Sequence, residues 1–92
     1  MSKAPAYLTP PSYEVLHIAA IQALASGSAT PHQQQQALRW IIEQAAGTYD
    51  LSFSPESDRA TSFAEGRRFV GLQIVKMTKL NKEKLKDDDN GR

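Results

Sequence analysis

The stretch Phe63 to Leu80, F-A-E-G-R-R-F-V-G-L-Q-I-V-K-M-T-K-L, constrains the chain most, because its large apolar residues recur at helical spacing for about five turns. Phe63, Val70, Ile74 and Met77 fall on one stripe, since steps of three, four and seven residues return to nearly the same face of a 3.6-residue helix. That stripe is the expected core seam. Gly66 and Gly71 sit inside this helix, and each should cost up to about 1 kcal/mol relative to alanine there. The ordinary compensation is close approach of another helix backbone, and Gly66 lies on the stripe itself. Phe63, Gly66, Val70, Gly71, Ile74 and Met77 are therefore the expected helix–helix contact.

With 92 residues the chain has room for one folded unit, expected over 1–86 with a polar tail at 87–92. It has no cysteine, so neither a disulfide framework nor a thiolate metal site can supplement a small core. Helix packing or self-association must supply the stability. The formal charge of +1, from 11 basic and 10 acidic side chains, is too balanced to draw the chain to DNA or anionic lipid by net charge. No apolar run approaches the ~20 residues that span a bilayer, and Met1 to Pro11 lacks the apolar stretch of a signal peptide. These features point to a soluble protein made in the cytoplasm, with no membrane partner.

Met1 to Leu8 reads as an extended arm whose Tyr7 and Leu8 pack back on the domain or reach a neighbouring subunit. The first helix is expected to begin at Thr9-Pro10-Pro11, where threonine caps and proline suits the first turn, and to stop at Gly27. Its apolar residues, Val15 to Leu24, cover most of the circumference. A helix of that kind is buried on more than one side, at the centre of the core or in a subunit interface. Thr30-Pro31-His32-Gln33 then carries the capping-box pattern with proline at the first helical position. The second helix should bury Leu38, Ile41, Ile42 and Ala45 and end at Gly47. Trp40 lies on its opposite side, to be covered by another element or left as a contact surface.

From Thr48 to Ser57, Tyr49, Leu51 and Phe53 alternate with Asp50, Ser52 and Ser54, which suggests an extended strap laying its aromatic edge across the helices. The third helix starts at Ser54-Pro55 or Ser57-Asp58, runs to about Asn81, and frays through Lys82 to Lys86. The expected fold is all-α: three helices, an aromatic strap between the second and third, and a disordered charged C-terminal tail.

Candidate sites are few. Arg67 projects close to the apolar stripe and needs a carboxylate such as Glu56, Asp58 or one from another subunit, a route out to water along its stem, or a partner to bind. Arg68 pairs with Glu65 at helical spacing. Trp40, Arg67 and Arg68 are the partner-binding candidates. His17 and His32 stand apart from other ligand types, no serine has a base placed beside it, and the acids are scattered, so no cofactor, metal, small-molecule substrate or catalysis is expected. A helix–turn–helix reading is open: Gln33 and Gln36 could read adenine edges and Arg39 a guanine or phosphate, with Lys76 and Lys79 from the late lysine cluster as further contacts. Against it, the chain before Lys76 carries 5 basic and 6 acidic residues, and the lysines are followed by Asp87-Asp88-Asp89.

Arg59 to Lys76, preceded by A-L-R-W-I-I-E-Q-A-A-G-T-Y-D from Ala37, resembles a family of small proteins of short-tailed phages that are often encoded among the head and packaging genes. The marks are F-A-E-G-R-R at Phe63 to Arg68 and V-G-L at Val70 to Leu72, and they cover about a third of the chain. The resemblance implies a phage origin and a non-enzymatic role, in the host cytoplasm or the virion. It carries over no binding residue. The expected function is protein–protein contact in virion assembly, head or tail structure, or genome packaging, as a homo-oligomer or on other phage proteins. A DNA-binding packaging subunit or regulator is one alternative, and a phage inhibitor of a host enzyme is another.

Overall fold

The computed structural model describes residues 5–84. Within them the chain is all-α, with a 3-10 turn at Ala6–Leu8, α1 at Val15–Ser26, α2 at Pro31–Trp40, a π segment at Ile41–Ala45 and α3 at Asp58–Lys79. The expected polar tail, with Leu85 and Lys86, lies outside the described residues.

The signals at the helix ends act as chemistry dictates. Thr30 Oγ1 accepts from the Gln33 amide at 3.1 Å and Gln33 Oε1 accepts from the Thr30 amide at 3.0 Å, closing the capping box of α2. Gly27, at φ 78°, ends α1 in the left-handed conformation, and the Ser28 amide reaches back to the Ala23 carbonyl at 2.9 Å. Ser57, the second of the two expected starts, caps α3 through its hydroxyl and the Ala60 amide at 3.1 Å.

α1 begins later than expected. Pro11 biases Pro10 toward extended backbone, and Pro10 does the same to Thr9, so the prolines form a lead-in segment and no first turn. The start moves to Glu14, whose amide donates to His17 Nδ1 at 2.9 Å. At the other end, α3 stops at Lys79 because Leu80 turns extended (ψ 145°). The lysine-rich stretch is not its frayed continuation, for Asn81 Oδ1 accepts from the Glu83 and Lys84 amides and opens a separate turn.

α1 and α2 form an antiparallel hairpin in which His17, near the start of one, stands beside Trp40, at the end of the other. The two fully buried residues of the hairpin are Ala20 and Ala37, so small side chains set the close approach. Only this side of α1 is covered. Val15 is 81% exposed, and Leu16, Ile18 and Leu24 are also open, which rules out the centre of the core for α1. On α2 the expected face is displaced by one residue at its start: Ala37 takes the buried place and Leu38 is exposed.

After Trp40 the helix continues but widens. The Ala46 amide bonds the Ile41 carbonyl at 2.8 Å, the five-residue step of a π turn, and Gly47 (φ 58°) terminates it as expected. Thr48 then folds back, its amide and hydroxyl both donating to the Ile42 carbonyl at 3.1 and 2.7 Å. This knuckle is what α3 rests on. Among the described residues α3 touches the π segment, Ala46 to Thr48 and the 3-10 turn, and does not pack along α1 or α2.

The face of α3 that is covered differs from the expected seam. Gly71 is buried, and a Cβ there would overlap Thr48 Oγ1 and lie 2.9 Å from Ala46 Cβ. Ala60, Ala64, Arg67 and Val75 share this sheltered side, and Ile74 lies at its edge. Val70 (54% exposed) and Met77 (72%) are out in the open, Phe63 is only partly covered, and nothing lies within 4 Å of where a Gly66 Cβ would be. The helix is rotated because Gly71 admits the Ala46–Thr48 knuckle to near backbone distance. The larger side chains would hold it away.

The strap is also inverted. Tyr49, Leu51 (89% exposed) and Phe53 face outward, while Ser52 and Ser54 face in. Polar anchoring decides its orientation, since the Ser54 amide donates to Thr61 Oγ1 at 2.8 Å and that hydroxyl contacts the Ser54 and Ser57 carbonyls. The molecule is a plate of 53 × 34 × 20 Å with a Cα radius of gyration of 16.8 Å. A packed chain of this length is expected near 12 Å.

Candidate functional site

What the fold presents is uncovered apolar surface. The hydrophobic residues that are buried are Ala20, Ala37 and Ala46. The chain exposes 7492 Å², whereas a folded monomer of 10.2 kDa is expected to expose about 5300 Å². That excess is total area, to which exposed apolar side chains such as Val15, Leu51, Val70 and Met77 contribute.

Three surfaces share it. The first is α3, where Phe63, Gly66, Val70, Gln73, Met77 and Leu80 follow alternating steps of three and four and none is charged. Phe69 stands alongside, exposed. Val15, Ile18, Ala19, Gln22 and Ala25 form the second, the outer face of α1, and Val15–Ser26 contains no Asp, Glu, Lys or Arg. Next to it Tyr13, Ile18, Ile21 and Trp40 wall an open groove of ≈310 Å³. The third is the outward edge of the strap.

The structure gives the polar candidates structural work. Trp40 Nε1 donates to the Ser12 carbonyl at 2.9 Å and its ring lies 6.4 Å from that of His17, so the segment ahead of α1 covers it in part. His17 spends Nδ1 on the helix start. Arg67 has neither Glu56 nor Asp58 as partner. Its Nη1 donates to the Ala45 carbonyl at 3.3 Å and its Cζ lies 5.9 Å from the Phe63 ring centroid. A cation at the end of the π segment meets the negative end of the helix dipole and an orphan carbonyl, and the ring face adds to this. Nε stays buried without a partner. The Tyr7 and Phe63 ring centroids lie 5.4 Å apart, tilted by 51°, so the N-terminal turn packs back on the domain. Arg68 reaches Glu65 at 3.5 Å, the ion pair found among the described residues.

The DNA-reading set is not brought together as a set. The Gln33 amide oxygen is held in the capping box, and Gln36 is half-buried toward Leu16, His17 and Trp40. Arg39 and Lys79 do share a shallow groove of ≈320 Å³ between α2 and α3, but Glu43 lies in it with them and Lys76 does not line it. Among the described residues no three of His, Asp or Glu cluster as metal ligands, and no helix is long and apolar enough to cross a membrane.

Reasoning from sequence missed the burial of Thr48 and the role of Gly47. A Cβ on Gly47 would lie 3.2 Å from both Arg67 Nη2 and Asp50 Oδ2, so Gly47 makes room for the arginine. A glycine followed by a threonine beyond a helix end gives no periodic signal. Fold and surface together define a small all-α domain with many of its large hydrophobic side chains exposed. The chain matches no protein-family model, no curated protein and no solved structure.

Proposed function

We propose that this is a non-enzymatic phage protein that works by protein–protein contact in virion assembly, head or tail structure, or genome packaging, through self-association or docking on another phage protein. The observation that supports contact as its task is the exposure, among the described residues, of sixteen large hydrophobic side chains around a buried apolar core of three alanines. Surface of that extent on an isolated small chain is a liability unless a partner covers it. The phage setting rests on the likeness of F-A-E-G-R-R and V-G-L to the short-tailed phage family. Sedimentation velocity on the purified chain, followed by pull-down with recombinant head and packaging proteins, tests the reading. A self-associated species or a stable complex is expected. A stable monomer that binds none of those proteins refutes it.

A further inference from the structure

We propose that the partly open stripe of α3 is a homodimer seam and that two copies pair along it antiparallel. This rests on the contact function proposed above and names its partner. Phe63, Gly66, Val70, Gln73 and Met77, with Leu80 at the C-cap, follow the alternating three-and-four spacing of a coiled-coil seam for about two heptads. At the N-terminal end the next position of the stripe, Arg59, is charged, and at the C-terminal end the helix stops at Lys79, so the seam has defined ends. Between them no residue of the stripe carries charge. A two-fold interface sets a surface against its own copy, and an uncharged one does so without like-charge repulsion.

The distribution of side-chain size decides the direction. Bulk is missing in the N-terminal half, at Gly66, and is greatest in the C-terminal half, at Met77. In a parallel pair Gly66 would face its own mate across a hole and Met77 would crowd its own mate. In the antiparallel pair Phe63 faces Leu80 of the second copy, Gly66 faces Met77, and Val70 faces Gln73. The two-fold axis then passes between Gly71 and Leu72. The flexible thioether of Met77 fills the space over Gly66, which in the single chain is open. A 22-residue helix is about 33 Å long, ample for such a pairing. The sheltered side of α3, which holds Gly71 and Arg67, stays on its own knuckle and is not disturbed.

The absence of cysteine makes the register directly measurable. Val70→Cys and Gln73→Cys variants are made separately, mixed, allowed to exchange and oxidised. Across the antiparallel seam these positions lie at one level, within disulfide reach, whereas each is about 4.5 Å along the axis from its own mate. The mixture is expected to give several-fold more cross-linked dimer than either variant alone. Val70→Glu is expected to weaken dimerisation about a hundredfold while the monomer keeps its helical circular dichroism, because Val70 is exposed there; Val15→Glu on α1 should leave the dimer intact. A monomeric wild type, Val70→Cys cross-linking best to itself, or dissociation by Val15→Glu in place of Val70→Glu each overturns the seam. A monomer that still captures a phage protein would overturn the seam and leave the contact function standing.

Discussion

Replacing each helical glycine of α3 by alanine should give opposite results. At Gly71 the new Cβ would overlap Thr48 Oγ1 and press on Ala46 Cβ at 2.9 Å and Thr48 Cβ at 3.0 Å. Thr48 cannot rotate away without losing its 2.7 Å bond to the Ile42 carbonyl, and it is buried, so water does not replace that bond. Overpacking of this kind costs about 1–3 kcal/mol, and the hydrogen bond about 1 more. The helix propensity of alanine returns about 1 kcal/mol. The net loss is about 2 kcal/mol, which lowers the melting temperature of a domain this size by about 10 °C. At Gly66 there is nothing within 4 Å in the single chain, so for the monomer, at a protein concentration below that of self-association, only the propensity gain of up to about 1 kcal/mol applies and helix stability rises. Thermal and urea unfolding followed by circular dichroism, at one fixed protein concentration, measures both. Thr48→Ala in the Gly71→Ala background removes the overlapping hydroxyl and should recover part of the loss. Equal effects at the two glycines, or a Gly71→Ala protein as stable as wild type, would refute the placement of α3 on Thr48.

Thr30→Ala opens the capping box of α2 and should cost about 1 kcal/mol in urea unfolding. Trp40→Phe removes the bond to the Ser12 carbonyl for a similar loss of about 1 kcal/mol, and amide exchange should rise in the segment before α1. Arg67→Met abolishes the contact with the Ala45 carbonyl and should destabilise the chain by about 1–2 kcal/mol, more than Arg68→Met, whose exposed pair with Glu65 is worth a few tenths. Leu51→Ser, at a side chain 89% exposed, should leave unfolding within about 0.5 kcal/mol of wild type.

The fold class and the helix ends could be read from the amino acids because caps are local chemistry. Thr30 with Gln33, Gly27, Gly47 and Ser57 need only their near neighbours to act. Which apolar stripe this chain covers is not a local matter. Periodicity marked Phe63, Val70 and Met77 as belonging together, but the contacts within the chain are made by Ala20, Ala37, Ala46 and Gly71, whose small size permits approach and whose hydrophobicity is slight. The same competition turned the strap over: three apolar side chains alternated as expected, yet two serines and Thr61 had hydrogen bonds to make and the apolar side had no pocket. Arg67, expected to need a carboxylate, a route to water or a bound partner, meets the Ala45 carbonyl. The partner was a carbonyl, which no search for acidic residues would find.

The widened turn at Ile41–Ala45 makes chain length there a matter of phase. An extra residue in one turn swings everything downstream by about 100° relative to an uninterrupted helix. Ala37 faces the hairpin, while Ala46 at the helix end and Thr48 just past Gly47 face α3. Deleting one residue from this turn would restore regular winding and keep the knuckle at nearly the same phase, because the five-residue step stacks as a four-residue step would with one residue fewer. The strap between Tyr49 and Glu56, held by the Asp50 amide on the Gly47 carbonyl and by the bonds around Ser54, leaves Leu51 to Phe53 free to change length, so homologous chains should vary by a residue at the strap and at the widened turn while keeping Ala46, Gly47 and Thr48 beneath Gly71.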